Sequence, residues 1–169
     1  MATNKHYISL FRWSKMVWVT SILTTILIVG ASIATLYIPD MGNSWEAYLV
    51  AIIMLPLPIV CFALSPRRLY LYGDMLIIKR WVGSVTISTH DIISVSEADR
   101  WLVLRSKRTM GNGGYFGYYG HFYNRQYGKF RMFATDTAHL YLIRTSRQNF
   151  VIGCTNKELI AELQDRKKS

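Results

Sequence analysis

Two apolar stretches separated by six residues occupy most of the first third of the chain and restrict every fold it can adopt. Met16–Ile38 runs for 23 residues without a charged side chain, and Trp45–Leu64 runs for 20 with only Glu46, at its start. As helices they measure roughly 35 and 30 Å at about 1.5 Å per residue, enough to cross a hydrocarbon core of about 30 Å. Lipid offers no partner for backbone N–H and C=O groups, so helix is the state expected of each run. Pro56 and Pro58 predict a bend in the second run, because each removes a donor and crowds the carbonyl four residues back. Gly30, Ala31, Ser32 and Ala34, with Ala47 and Ala51, offer small surfaces for close helix packing. The expectation is a helical hairpin turning at Pro39–Ser44.

Charge gives that hairpin a direction. Lys5, Arg12 and Lys15 precede the first run, Arg67 and Arg68 follow the second, and Pro39–Ser44 carries no Lys or Arg. Cationic flanks stay on the cytoplasmic side, which predicts two spans with both termini inside. Trp13, Trp18, Tyr37, Trp45 and Tyr48 lie near the ends of the runs, where aromatic rings favour the headgroup region. A cleaved leader is the competing reading, because Ser32-Ile33-Ala34 has cleavage-like small residues; the apolar run exceeds the usual leader core. The chain thus divides into a basic cytoplasmic N-terminus (1–15), a hairpin (16–64, with spans 16–38 and 45–64) and a domain at 65–169.

That last part, Ser65–Ser169, has 105 residues, sufficient for one domain. Its 17 Lys and Arg against 8 Asp and Glu leave a net charge of +9. A basic domain held just inside a membrane meets anionic lipid first, and the tether makes nucleic acid the less expected partner. Cys61 and Cys154 lack metal or redox spacing, and His6, His90, His121 and His139 are scattered without ligand spacing. No cofactor and no metal are expected. No paired carboxylates and no nucleophile at a strand-to-helix elbow accompany Asp91 and its neighbour His90, so no catalytic residue is assigned.

The periodicity of the domain is that of strands. Leu69–Gly73 and Met75–Arg80 form a hairpin through Gly73-Asp74, Ser84–Ser88 and Ile92–Val95 alternate, and Trp101–Arg105 continues the strand-like pattern. Lys129–Ala134, His139–Thr145 and Asn149–Cys154 continue the pattern. Thr155 and Glu158 have capping-box spacing, with Thr155 as the cap. Leu159, Ile160 and Leu163 then share one helical face. About seven strands closed by one C-terminal helix are expected, as a small barrel or sandwich whose open end the helix plugs.

Between the strands lies Arg108–Phe130, with Gly at 111, 113, 114, 117, 120 and 128 among aromatic residues. It lacks the G-K-[ST] ending of a phosphate loop and the G-x-G-x-x-G order of a dinucleotide turn, and no helix follows it. Arg105, Lys107, Arg108, Arg125, Lys129 and Arg131 flank it. With Tyr115, Phe116, Tyr118 and Tyr119 they make the candidate surface for anionic headgroups or a partner. The plainer reading stays open beside it: charges that protect a sheet edge, and aromatics that fill the sandwich.

The order YLYGDMLIIKR (Tyr70–Arg80), ISTHDIISV (Ile87–Val95), R-x-x-G-x-G-G-x-F-G-Y-Y-G-x-F (Arg108–Phe122), GKFRMFATD (Gly128–Asp136) and NFVIG (Asn149–Gly153) resembles the bacterial pleckstrin-homology-like domains. The resemblance covers about residues 66–166. It leaves out the hairpin and implies a bent antiparallel β-sandwich of about seven strands capped by a C-terminal helix; with the two transmembrane helices expected from the apolar runs, the chain as a whole is expected to be membrane-anchored α+β. It also implies a bacterial cytoplasmic (inner) membrane location. Eukaryotic relatives in fold often bind phosphoinositides through a basic loop between their first two strands. Here that turn is Gly73-Asp74, minimal and acidic, so no such site carries over. The expected function is a non-enzymatic interaction or scaffold module that binds a protein partner, a second copy or the lipid surface. A regulatory subunit of a transport or secretion complex is the alternative, although two helices without a mid-depth charge make a poor solute path.

Overall fold

The computed structural model describes residues 7–37 and 45–168. Lys5, His6 and the expected turn at Pro39–Ser44 lie outside them. The first element is a strand, β1 (Tyr7–Leu10), and the two apolar runs follow as α1 (Lys15–Tyr37) and a broken helix, α2 (Trp45–Met54) and α3 (Leu57–Leu64). The break falls at Leu55-Pro56, as the proline pair predicts. Ser14 caps α1, its Oγ accepting from the Val17 amide at 3.3 Å. Both runs are long and apolar enough to cross a membrane. Ser32, Ala47 and Ala51 are buried, whereas Gly30, Ala31 and Ala34 are exposed.

The strand-rich part holds β2 (Pro66–Tyr72), β3 (Met75–Arg80), β4 (Ser84–Ser88), β5 (Ile92–Glu97), α4 (Arg100–Leu104), β6 (Lys107–Gly113), β7 (Tyr118–Asn124), β8 (Gly128–Ala134), β9 (Leu140–Thr145), β10 (Asn149–Gly153) and α5 (Lys157–Lys168). The strands form two sheets, ordered β1-β2-β3-β4 and β5-β9-β10-β8-β7-β6. The chain is therefore α+β, with two apolar helices near its start and a helix at its end, as expected. Four details differ from the sequence reading.

First, the described residues hold ten strands rather than about seven, and β10 runs parallel to β8 in an otherwise antiparallel arrangement. Second, β1 pairs with β2, Ile8 opposite Tyr70, so part of the segment assigned to a separate N-terminus (1–15) belongs to the smaller sheet. Third, Trp101–Leu104 is helical: Asp99 Oδ1 accepts from the Trp101 amide at 2.8 Å and starts a turn that buries Val103. Fourth, the cap of α5 is Asn156 and not Thr155. The Asn156 Oδ1 accepts from the amides of Glu158 (3.0 Å) and Leu159 (3.3 Å).

The main core lies between the sheets, where Leu69, Leu71, Leu76 and Ile78 of one meet Phe133, Ile143, Phe150 and Ile152 of the other. Leu159, Ile160 and Leu163 of α5 close it. The outer face of the larger sheet carries a second cluster, Phe122, Phe130, Met132, Leu142 and Val151, joined by Ala98 and Val103 at α4.

Candidate functional site

The glycine–aromatic stretch is not a loop but a two-stranded ribbon, β6 with β7, whose tip is Gly114–Gly117. Glycine is required at its crossing point. Gly111 (φ +137°) and Gly120 (φ +121°) face each other so closely that a Cβ on Gly120 would lie 2.5 Å from the Gly111 Cα. The tip closes through Gly114 N–H to the Gly117 carbonyl at 3.0 Å, with Phe116 left-handed at φ +57° between them. Phe116 holds that conformation because its amide donates to Ser21 Oγ of α1 at 2.8 Å.

That contact is one of several through which the ribbon is docked on the apolar helices. Tyr115 Oη lies 3.0 Å from Thr25 Oγ1 of α1. Tyr119, 7% exposed, donates its hydroxyl to the Cys61 carbonyl of α3 at 2.6 Å and accepts from Asn112 Nδ2 at 3.0 Å. Burial pushes the Tyr119 phenol well above its ordinary range, so it remains a neutral donor. The Phe116 ring packs 5.6 Å from Trp13 and 5.5 Å from Phe62, and Phe62 packs 5.1 Å from Trp81. Beside these rings a cavity of about 440 Å³ opens between α1 and the ribbon tip, lined by Trp13, Trp18, Ile22, Ile26, Phe62 and Phe116.

The β3–β4 turn docks at the same place. Val82 donates its N–H to the Ala63 carbonyl of α3 at 3.0 Å, and the Arg67 guanidinium stacks 4.0 Å from the Trp81 ring centroid. Trp81 and Val82 are exposed.

The ten candidate residues consequently fall into separate places. Tyr115, Phe116 and Tyr119 face the helices, and Tyr118 packs on the opposite face of the ribbon with the outer cluster. Lys107 and Lys129 lie in one exposed row across Tyr123, and Arg108 is exposed on β6. Arg105 follows α4, and Arg125 occupies the β7–β8 turn, both exposed. Arg131 is half-buried on the sandwich face of β8, 5.3 Å from the Phe133 centroid. Burial, reinforced by Arg80, lowers the Arg131 pKa.

Sequence reasoning passed over Trp13, Ser21, Thr25, Phe62 and Trp81 as a group. They are scattered along the chain and only the fold collects them; the apolar Trp81-Val82 beside the turn residue Gly83 was the one local sign. Among the described residues no cluster of His, Cys, Asp and Glu is placed to hold a metal. Both cysteines are free, and burial raises the pKa of the Cys154 thiol, which makes it a poor nucleophile. Residues 67–167 match the family model described as Bacterial PH domain. No curated protein and no solved structure matches the chain.

Proposed function

Because the chain belongs to the bacterial PH domain family, a family of interaction modules, we propose that it is a non-enzymatic module fixed to the cytoplasmic face of the bacterial inner membrane. In this reading residues 16–38 and 45–64 span the bilayer, both termini are cytoplasmic, and residues 65–169 with β1 form the recognition domain. The observation that carries it is the joint between domain and helices. Lys15 and Leu64, the ends of the apolar helices nearest the domain, emerge at the same end, amid Arg12, Arg67 and Arg68. Hydrogen bonds from Phe116, Tyr119 and Val82 to α1 and α3 hold the sheets there in one orientation.

A module held this way presents its remaining surfaces predictably. The edge strand β6, exposed along nearly its whole length, suits strand addition by a protein partner or a second copy. The end that bears Trp81, Val82 and Arg67 faces the lipid headgroups. Two measurements test the reading on the full chain. A cysteine at Asn43 should react with an impermeant maleimide added outside intact cells while one at Ser169 stays protected; the reverse pattern would refute the orientation. Purification in mild detergent should yield a stoichiometric partner or an oligomer, and a monomer alone would remove the strand-addition role.

A further inference from the structure

The outer face of the larger sheet holds an apolar cleft beside its β6 edge. The ribbon register sets Arg108 opposite Phe122, Gly111 opposite Gly120 and Gly113 opposite Tyr118. Phe122 and Tyr118 pack with the outer cluster, and the glycine pair between them adds no side chain to that face. The space left is a cavity of about 260 Å³, room for one large side chain. Val103 of α4, Tyr118 and Phe122 of β7 and Met132 of β8 line it, and Arg108 and Gly113 bound it on β6. Arg108 reaches along its own strand, with Nη1 3.0 Å from where a Gly113 Cβ would stand. The cleft therefore has an apolar floor, a guanidinium at its rim and an exposed edge strand alongside.

Charge selects what can lie along that edge. From Arg100 to Arg131, which takes in α4, β6, β7 and the start of β8, the chain holds seven Lys and Arg and no Asp or Glu. Two copies of this edge would set cation against cation, whereas an acidic strand is drawn to it. In strand addition the backbone supplies affinity, and pockets beside the edge take alternate side chains of the incoming segment. We propose that the β6 edge and this cavity form a site for an extended acidic segment of a partner protein, with one large apolar side chain in the cavity and a carboxylate on Arg108. The proposal rests on the strand-addition reading above and adds to it the chemistry of the partner.

The test pans a random-peptide display library against the full chain in neutral detergent, then follows one enriched peptide by fluorescence anisotropy at physiological salt. Enriched sequences should combine several Asp or Glu with a large apolar residue at an alternate position. Arg108→Glu should weaken that peptide about tenfold or more, because it sets like charges together at the rim. Gly113→Leu, which fills the cavity, should weaken it by a similar factor of about ten. Arg108 is exposed, and the nearest atoms that a Gly113 Cβ would meet belong to the movable Arg108 side chain. Both variants should therefore keep the Tm of the parent chain, which separates a lost site from a damaged fold. Lys129→Glu, whose position pairs with Tyr123 on the other face of the ribbon, should change the affinity less than about threefold.

A library without enrichment, or enrichment of basic peptides, would overturn the proposal. So would displacement of the peptide by an oligodeoxythymidylate at comparable concentration, which would assign the cleft to nucleic acid. N-methylation of alternate backbone nitrogens in the peptide checks strand addition separately. Binding that survives methylation but is lost in Arg108→Glu and Gly113→Leu defeats strand addition and keeps the cleft. Binding that is lost on methylation yet indifferent to both variants defeats the cleft and keeps strand addition.

Discussion

At the scale of single residues, the ribbon depends on two glycines and one tyrosine. A side chain on Gly111 or Gly120 would meet the opposite backbone and force a left-handed φ on an L-residue. Gly111→Ala and Gly120→Ala should each cost about 1–3 kcal/mol, measured as the shift of the urea midpoint of the full chain in detergent. Tyr119→Phe should cost about 1 kcal/mol by removing the hydroxyl bonded to Cys61. The same phenol predicts a pH effect. Its folded pKa is raised above the ordinary 10.0, so the unfolded chain gives up the proton first. The stability it contributes is fully present below pH 10 and declines as pH rises beyond that value. Wild type should therefore lose more stability between pH 9 and 11 than Tyr119→Phe does; parallel curves would exclude the tyrosine as the cause.

At the scale of elements, α4 and α5 show what local pattern can and cannot decide. Leu159, Ile160 and Leu163 recur at helical spacing, and α5 was legible from them, displaced by one residue at its cap. Asn156→Ala should destabilise the chain by about 1 kcal/mol while Thr155→Ala changes little, read by thermal unfolding. Trp101–Arg105 reads as a short apolar strand as readily as a helical turn, and five residues are too few for periodicity to separate the two states. Its helix follows from the Asp99 cap and from the place that Val103 finds against Phe130 and Leu142. The ribbon was missed for a related reason. Glycines that mark a loop in isolation become strand residues when a neighbouring backbone comes within reach.

At the scale of the molecule, the apolar helices are an insertion within the domain, since β1 lies before them and its partner β2 after them. Phe11 donates to the Arg67 carbonyl at 3.1 Å, and Thr135 Oγ1 donates to the Arg12 carbonyl at 2.8 Å, so the entering chain is sewn to both sheets. Residues 65–169 expressed alone should therefore unfold at least about 5 °C below the same fragment carrying residues 7–12 on a short Gly-Ser linker to Ser65. Equal Tm values would show that β1 is dispensable.

The apolar runs, the proline break, most strands and the closing helix are determined by the sequence itself, because each rests on the period or composition of one contiguous segment. The family resemblance belongs with them, since it rests on the order of motifs along the chain. Tertiary structure alone decided that β1 completes a sheet with residues some sixty positions away and that the aromatics of the ribbon turn onto the helices. Those are contacts between segments whose local patterns carry no record of each other. A tyrosine for a buried carbonyl and a tyrosine for a lipid surface are spelled alike, and only the neighbour that the fold supplies tells them apart.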